Sequence, residues 1–153
     1  MENSQDKIYF PLFINLENKK VLVIGAGKIA YRKVETLLKY GADIYIVSRE
    51  IAEEKFCNLK NIQIFIGEFK EDMLKDTFLV IAATDNKEFN RYIFELCSKK
   101  NILVNNITSK TKMNCRFGSI IDTDEYLIGI SAKGNPKKAK NMREKLEKIL
   151  TLE

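Results

Sequence analysis

Four apolar residues, Val21–Ile24, run straight into Gly25-Ala26-Gly27 and then, with no intervening loop, into a segment of helical period. The apolar run reads as a strand buried on both faces, and the chain has only glycines with which to turn from it into a helix. Gly25-Ala26-Gly27-Lys28-Ile29-Ala30 matches G-x-G-x-x-G/A at this turn. In that pattern the first glycine permits the tight turn and the second lets a pyrophosphate approach the backbone. The last small residue lets helix and strand pack, while the helix N-terminus favours the anion. On this reading Gly25, Ala26, Gly27, Lys28 and Ile29 hold a dinucleotide. The alternative is a strand-turn-helix whose glycines serve the turn alone.

The flanking sequence repeats the β-α-β theme. After the strand at 19–25, Ala30, Val34, Leu37 and Leu38 mark one helical face that stops at Gly41. Strands follow at 43–47, 62–66 and 78–83, separated by short helical segments near 50–58 and 70–75. A helix over 86–99 buries Phe89, Ile93 and Leu96, and ILVN at 102–105 is a fifth strand. This alternation predicts an α/β, Rossmann-type doubly wound parallel sheet. Beyond Asn105 the pattern changes to two strands, FGSIID and EYLIGIS, with no helix between them. A helix capped by Asn135 follows, with Pro136 at its first position and a stripe of Ala139, Met142, Leu146, Ile149 and Leu150. The expected division is a dinucleotide-binding domain over 1–108 and a small hairpin-helix segment over 109–153. The hairpin needs another surface to cover it.

Composition narrows the chemistry. The 153 residues contain no histidine, which removes the commonest general acid/base and metal ligand. Cys57, Cys97 and Cys115 form neither a metal-ligand spacing nor an even disulfide framework, so they read as small buried hydrophobes in a reducing, cytoplasmic setting. No apolar run approaches the length of a membrane span, and MENSQDKIYF lacks the features of a signal peptide. The net charge of +5 is concentrated late, in Lys133, Lys137, Lys138, Lys140, Arg143, Lys145 and Lys148. Such a cluster suits nucleic acid, an anionic membrane surface or a polycarboxylate ligand; with Glu144 and Glu147 interleaved it equally suits a solvated helix face.

A dinucleotide also needs a ribose reader after the second strand, where the sequence gives Ser48-Arg49-Glu50. Glu50 would accept from a ribose hydroxyl and favour NAD, whereas Arg49 would meet the extra phosphate of NADP; both are also ordinary loop residues. At the end of the fourth strand, Ala83-Thr84-Asp85 stands where a nicotinamide would lie, and Asp85 or Asn86 would serve as well to cap the next helix.

Taken together, these segments resemble the precorrin-2 dehydrogenases of sirohaem synthesis, including the N-terminal part of bifunctional sirohaem synthases. The likeness is collinear through YFPLFINLENKKVLVIGAGKIAYRK, IAATDNKEFN, ILVNNIT and GSIIDTDEYLIGISAKGNPKKAKNMREKLE, and so covers nearly the whole chain. It implies NAD-dependent oxidation of precorrin-2, a tetrapyrrole polycarboxylate, to sirohydrochlorin. It also implies a homodimer that exchanges the hairpin and last helix, with no nucleic-acid or membrane partner and no bound metal. Asn106, Lys133 and Lys137 then become candidate substrate contacts.

The chain departs from the pattern at one chemically important point. The family's catalytic aspartate follows the fifth strand as Asn-x-x-Asp, and this register gives Asn105-Asn106-Ile107-Thr108. Thr108 donates and accepts hydrogen bonds but holds no charge near neutral pH. A hydride transfer that relies mainly on the cofactor survives this change better than metal insertion, which needs a group to take pyrrole protons. The expectation is therefore an NAD-dependent dehydrogenase, NADP not being excluded, with Thr108 at the catalytic position. The alternatives are a nucleotide- or tetrapyrrole-binding protein without turnover, or a bifunctional dehydrogenase and ferrochelatase.

Overall fold

A computed structural model describes residues 7–151 of the chain. They fall into two compact units, residues 7–115 and 116–151.

The first unit is a parallel sheet. β1 (Lys20–Ile24) leads into α1 (Lys28–Lys39), β2 (Asp43–Ser48) and β3 (Ile62–Ile66), and then β4 (Leu79–Ala82), α2 (Lys87–Lys99) and β5 (Leu103–Asn106) follow. The strand order is β3-β2-β1-β4-β5, every pairing parallel. β1 thus lies between β2 and β4, and the chain leaves it in opposite directions in its two halves. That reversal opens a crevice at the carboxyl ends of the strands.

The all-apolar strand sequences follow from burial on both faces. Leu22 and Ile24 of β1, Val80 and Ala82 of β4 and Val104 of β5 pack with Ile93 and Cys97 of α2. The alternate residues Val21, Val23, Ile44 and Ile46 are also fully buried, as are Ala30, Val34 and Leu37 of α1. Each such valine or isoleucine contributes about 1.5–3 kcal/mol by leaving water.

Two expected helical segments are shorter than their sequence suggested. The stretches near 50–58 and 70–75 form only 3₁₀ turns, Glu54–Asn58 and Glu71–Leu74. For the first, the backbone N–H groups of Ala52 (3.1 Å) and Glu53 (3.0 Å) both donate to the Ala26 carbonyl, which ties the approach to this segment to the β1–α1 turn. At β5, residues beyond 108 remain part of the sheet unit because Asn114 completes the strand. Its Oδ1 accepts from the Val104 N–H (2.7 Å) and its Nδ2 donates to the Ile102 carbonyl (3.1 Å).

The second unit contains an antiparallel hairpin, β6 (Ser119–Asp122) and β7 (Leu127–Ile130), followed by α3 (Pro136–Leu150). Asn135 caps α3 by accepting from the Lys138 N–H at 3.1 Å, and Pro136 occupies the first turn as expected. Of the expected apolar stripe only Ala139 is fully buried, whereas Met142 and Ile149 stay 47% and 57% exposed.

Candidate functional site

A cavity of about 970 Å³ opens at the carboxyl ends of the parallel strands, within the first unit. The β1–α1 turn, the ends of β2, β3 and β4, and the loop after β5 line it. Every expected cofactor contact reaches it: Gly25 to Ile29, Ser48 to Glu50, and Ala83 to Asp85. Thr108 lines it too.

The two glycines are needed for different reasons. Gly25 has φ +111°, and a Cβ there would run into the Ala83 carbonyl, with the carbonyl carbon only 2.6 Å away. Its glycine is required by the packing of β1 against β4. Gly27 has an ordinary extended backbone, φ −93° and ψ −173°, and a Cβ there would meet no protein atom within 4 Å. Nothing in the chain itself requires a glycine at 27; the space in front of its backbone is open to a group from outside. Gly27 is also the N-cap of α1, no side chain caps this helix, and no acidic residue stands in its first turn. The positive end of the helix therefore faces the cleft without a neutralising side chain, an arrangement that fits a pyrophosphate.

At the end of β2, the Ser48 hydroxyl donates to the Glu50 carbonyl at 2.6 Å, closing a tight turn that presents Arg49 and Glu50. Arg49 pairs with Glu68 beyond β3 at 3.2 Å, with side chains 82% and 76% exposed. A pair so open to water is worth little and holds Arg49 only loosely.

The end of β4 carries the most ordered polar chemistry. Asn86 caps α2, its Oδ1 accepting from the Phe89 N–H at 3.0 Å, so Asp85 is left exposed beside the cavity. Behind them lies Asn90, fully buried among the apolar residues of α2. Its Oδ1 accepts from the Thr84 N–H (3.2 Å) and hydroxyl (2.6 Å), and its Nδ2 donates to the Thr84 carbonyl (2.9 Å) and to Thr108 Oγ1 (3.0 Å). The sequence reading touched Asn90 only as the last residue of the IAATDNKEFN likeness and gave it no role in the site. The available signal was a polar residue at the i, i+3, i+7 spacing it shares with the buried Ile93 and Cys97.

Asn106, expected as a substrate contact, is 1% exposed. Its Oδ1 accepts from both the N–H (3.0 Å) and the hydroxyl (2.9 Å) of Thr108, and its Nδ2 is sealed without a partner. Lys133 and Lys137 are exposed residues of the second unit. The cysteine expectation holds in full for Cys97 alone, because Cys115 is half-buried and Cys57 is exposed on a 3₁₀ turn; desolvation still pushes the Cys97 and Cys115 thiols up to about 12. Among the described residues no group of three or more cysteine, aspartate or glutamate side chains is placed to hold a metal ion. No helix among them is long and apolar enough to cross a membrane.

Comparison with known proteins bears on this cleft directly. Residues 12–119 match a family model described as "Putative NAD(P)-binding". The siroheme synthase of Blochmanniella floridana is 42% identical over 147 residues, 94% of this chain and 32% of that protein. That of Actinobacillus succinogenes is 39% identical over 145 residues, 93% of this chain and 30% of that protein. The chain thus spans about a third of the length of these relatives. Among solved structures, SirC, a precorrin-2 dehydrogenase, superposes with a TM-score of 0.76 at 23% identity, covering 92% of this chain and 70% of its own, a likeness of fold.

Proposed function

On the premise that the chain belongs to this NAD(P)-binding family, we propose that it binds NAD in the cleft and uses it to oxidise precorrin-2 to sirohydrochlorin. The observation that carries the reading is Gly27, a glycine that the fold does not need, at an uncapped helix N-terminus inside a large cavity. The siroheme synthases, 42% and 39% identical, supply the substrate class.

Bound here, NAD supplies the hydride acceptor. The residues of the chain hold and orient. Gly25 to Ile29 take the pyrophosphate, Ser48 to Glu50 the ribose, and Ala83 to Asp85 the region of the nicotinamide. Thr108 stands at the catalytic position. Lys133 and Lys137, exposed and cationic, suit the carboxylates of the substrate. The domains divide as dinucleotide-binding sheet and hairpin-helix segment, and the latter forms a homodimer. Exposed Met142 and Ile149 on α3, with Tyr126 and Leu127 at 55% and 45% exposure beside the hairpin turn, support that assembly. The unpaired cysteines fit a cytoplasmic location.

The test is anaerobic incubation of the purified protein with precorrin-2 and either NAD or NADP, following sirohydrochlorin absorbance. Product with NAD is expected; absence of product with both nucleotides refutes the dehydrogenase. A second reading, nucleotide and tetrapyrrole binding without turnover, is favoured by the absence of a carboxylate at 108. It predicts binding of both ligands with no product.

A further inference from the structure

We infer that Asn106 and Asn90 together make Thr108 a hydrogen-bond acceptor only, Asn106 by taking its hydroxyl proton and Asn90 by occupying one of its lone pairs, so that this point of the cleft selects an N–H of its ligand, of the carboxamide or pyrrole class.

The polarity follows from backbone groups whose roles are fixed. The Thr84 N–H can only donate and its carbonyl can only accept, and both bond the Asn90 side chain. Oδ1 of Asn90 must therefore face the N–H and Nδ2 the carbonyl, with no freedom to exchange them. Nδ2 then also donates to Thr108 Oγ1 at 3.0 Å, occupying one lone pair of that oxygen. Asn106 is fixed in the same way, because its Oδ1 accepts from the Thr108 N–H. That oxygen is consequently the acceptor for the Thr108 hydroxyl proton at 2.9 Å. The proton of Thr108 and one of its lone pairs are thus committed to buried asparagines 0% and 1% exposed. One lone pair is left for whatever enters the cavity that Thr108 lines. A ligand that reaches this oxygen must donate to it; a carbonyl or carboxylate meets no donor there.

The polarity stands on these hydrogen bonds alone, whereas the identity of the N–H bearer rests on the function proposed above. Two ligand pairs separate the sources. NAD carries a carboxamide NH₂ that 3-acetylpyridine adenine dinucleotide replaces with a methyl group. Free-base sirohydrochlorin carries pyrrole N–H groups that its zinc complex lacks. Dissociation constants would be measured for all four with the full-length parent, Asn90→Ala, Thr108→Val and Thr108→Ser proteins, each checked for an intact thermal transition.

The parent should prefer the N–H bearer of one pair by about tenfold, as expected for one well-made hydrogen bond. Thr108→Ser should keep the preference, as should Asn90→Ala, which frees a lone pair but leaves the hydroxyl proton on Asn106, whereas Thr108→Val should reduce it to within about twofold. Collapse in the first pair assigns the carboxamide, in the second the pyrrole. No preference in the parent, or one that survives Thr108→Val, overturns the inference. A ligand-free readout accompanies these. The Thr108 hydroxyl proton should exchange slowly and show a nuclear Overhauser effect to Asn106, and its absence overturns the polarity. If the parent refuses all four ligands, the proposed function falls and the N–H selection with it, while a protected hydroxyl proton would still uphold the polarity.

Discussion

Gly25 and Gly27 lie two residues apart yet should fail in opposite ways. In Gly25→Ala the new methyl meets the Ala83 carbonyl group, and the backbone sits at φ +111°. Strain of this kind costs about 1–3 kcal/mol, and forcing an extra methyl into a packed seam costs about 1–3 kcal/mol more. The variant should lose about 2–6 kcal/mol. At roughly 2–4 °C per kcal/mol for a chain of this size, its melting temperature should fall by at least about 4 °C. In Gly27→Val the side chain enters open space from an extended backbone that valine adopts readily, so only the exchange of a favoured N-cap residue counts, about 0.5–1 kcal/mol or about 1–4 °C in melting temperature. Its methyl groups fill the space in front of the α1 N-terminus, where each lost charge-assisted hydrogen bond to a phosphate costs about 1.5–3 kcal/mol. That is about a tenfold to hundredfold loss of NAD affinity per bond. Thermal melts read by circular dichroism and NAD titrations read by calorimetry separate the two effects. A Gly27→Val protein that binds NAD like the parent would show that the phosphate site is elsewhere. A Gly25→Ala protein as stable as the parent would refute the packing argument.

Three further outcomes are expected. Thr108→Asp should raise precorrin-2 turnover by about 10² or more, the usual scale of acid/base assistance; an inactive variant that still binds both ligands would favour the binding-protein reading. Met142→Lys with Ile149→Lys, two exposed positions of α3, should shift the protein from dimer to monomer in sedimentation velocity at micromolar concentration; an unchanged sedimentation coefficient would count against this interface. Stability should fall with rising pH from about 9, the ordinary thiol value, towards about 12. Over that range the unfolded chain ionises Cys97 and Cys115 while burial keeps them protonated in the fold. Lys33, lowered by burial, acts in the opposite direction. Urea midpoints at pH 8 and 11 should therefore differ less in Cys97→Ala than in the parent.

The strand-to-helix turn was legible in the sequence because its signal is local. Two glycines, an apolar run and a helical period lie within a dozen residues, and hydrophobic patterning placed the seven strands and three long helices found among the described residues. The 3₁₀ turn at Glu54–Asn58 was overestimated because a short apolar period cannot report that the neighbouring N–H groups of Ala52 and Glu53 are bonded to Ala26. Sequence alone also could not separate the two glycines, since the difference lies in Ala83, 58 residues away along the chain and packed against one glycine only. The role of Asn90 escaped for a related reason. A single asparagine on an apolar helix face resembles an imperfection in the stripe until its partners, Thr84 and Thr108, are brought in from two different strand ends.

The contact between Gly25 and the β4 end makes the cleft a gauge of length. A Cβ on Gly25 would lie 3.0 Å from the Thr84 nitrogen, so the β1–α1 turn proposed to take the phosphates and the residue that begins the Asn90 wiring are backbone neighbours at the ends of adjoining strands. No side chain or hinge separates them. For the dinucleotide proposed above, the span between its pyrophosphate and its nicotinamide would be set by the spacing of two hydrogen-bonded strands.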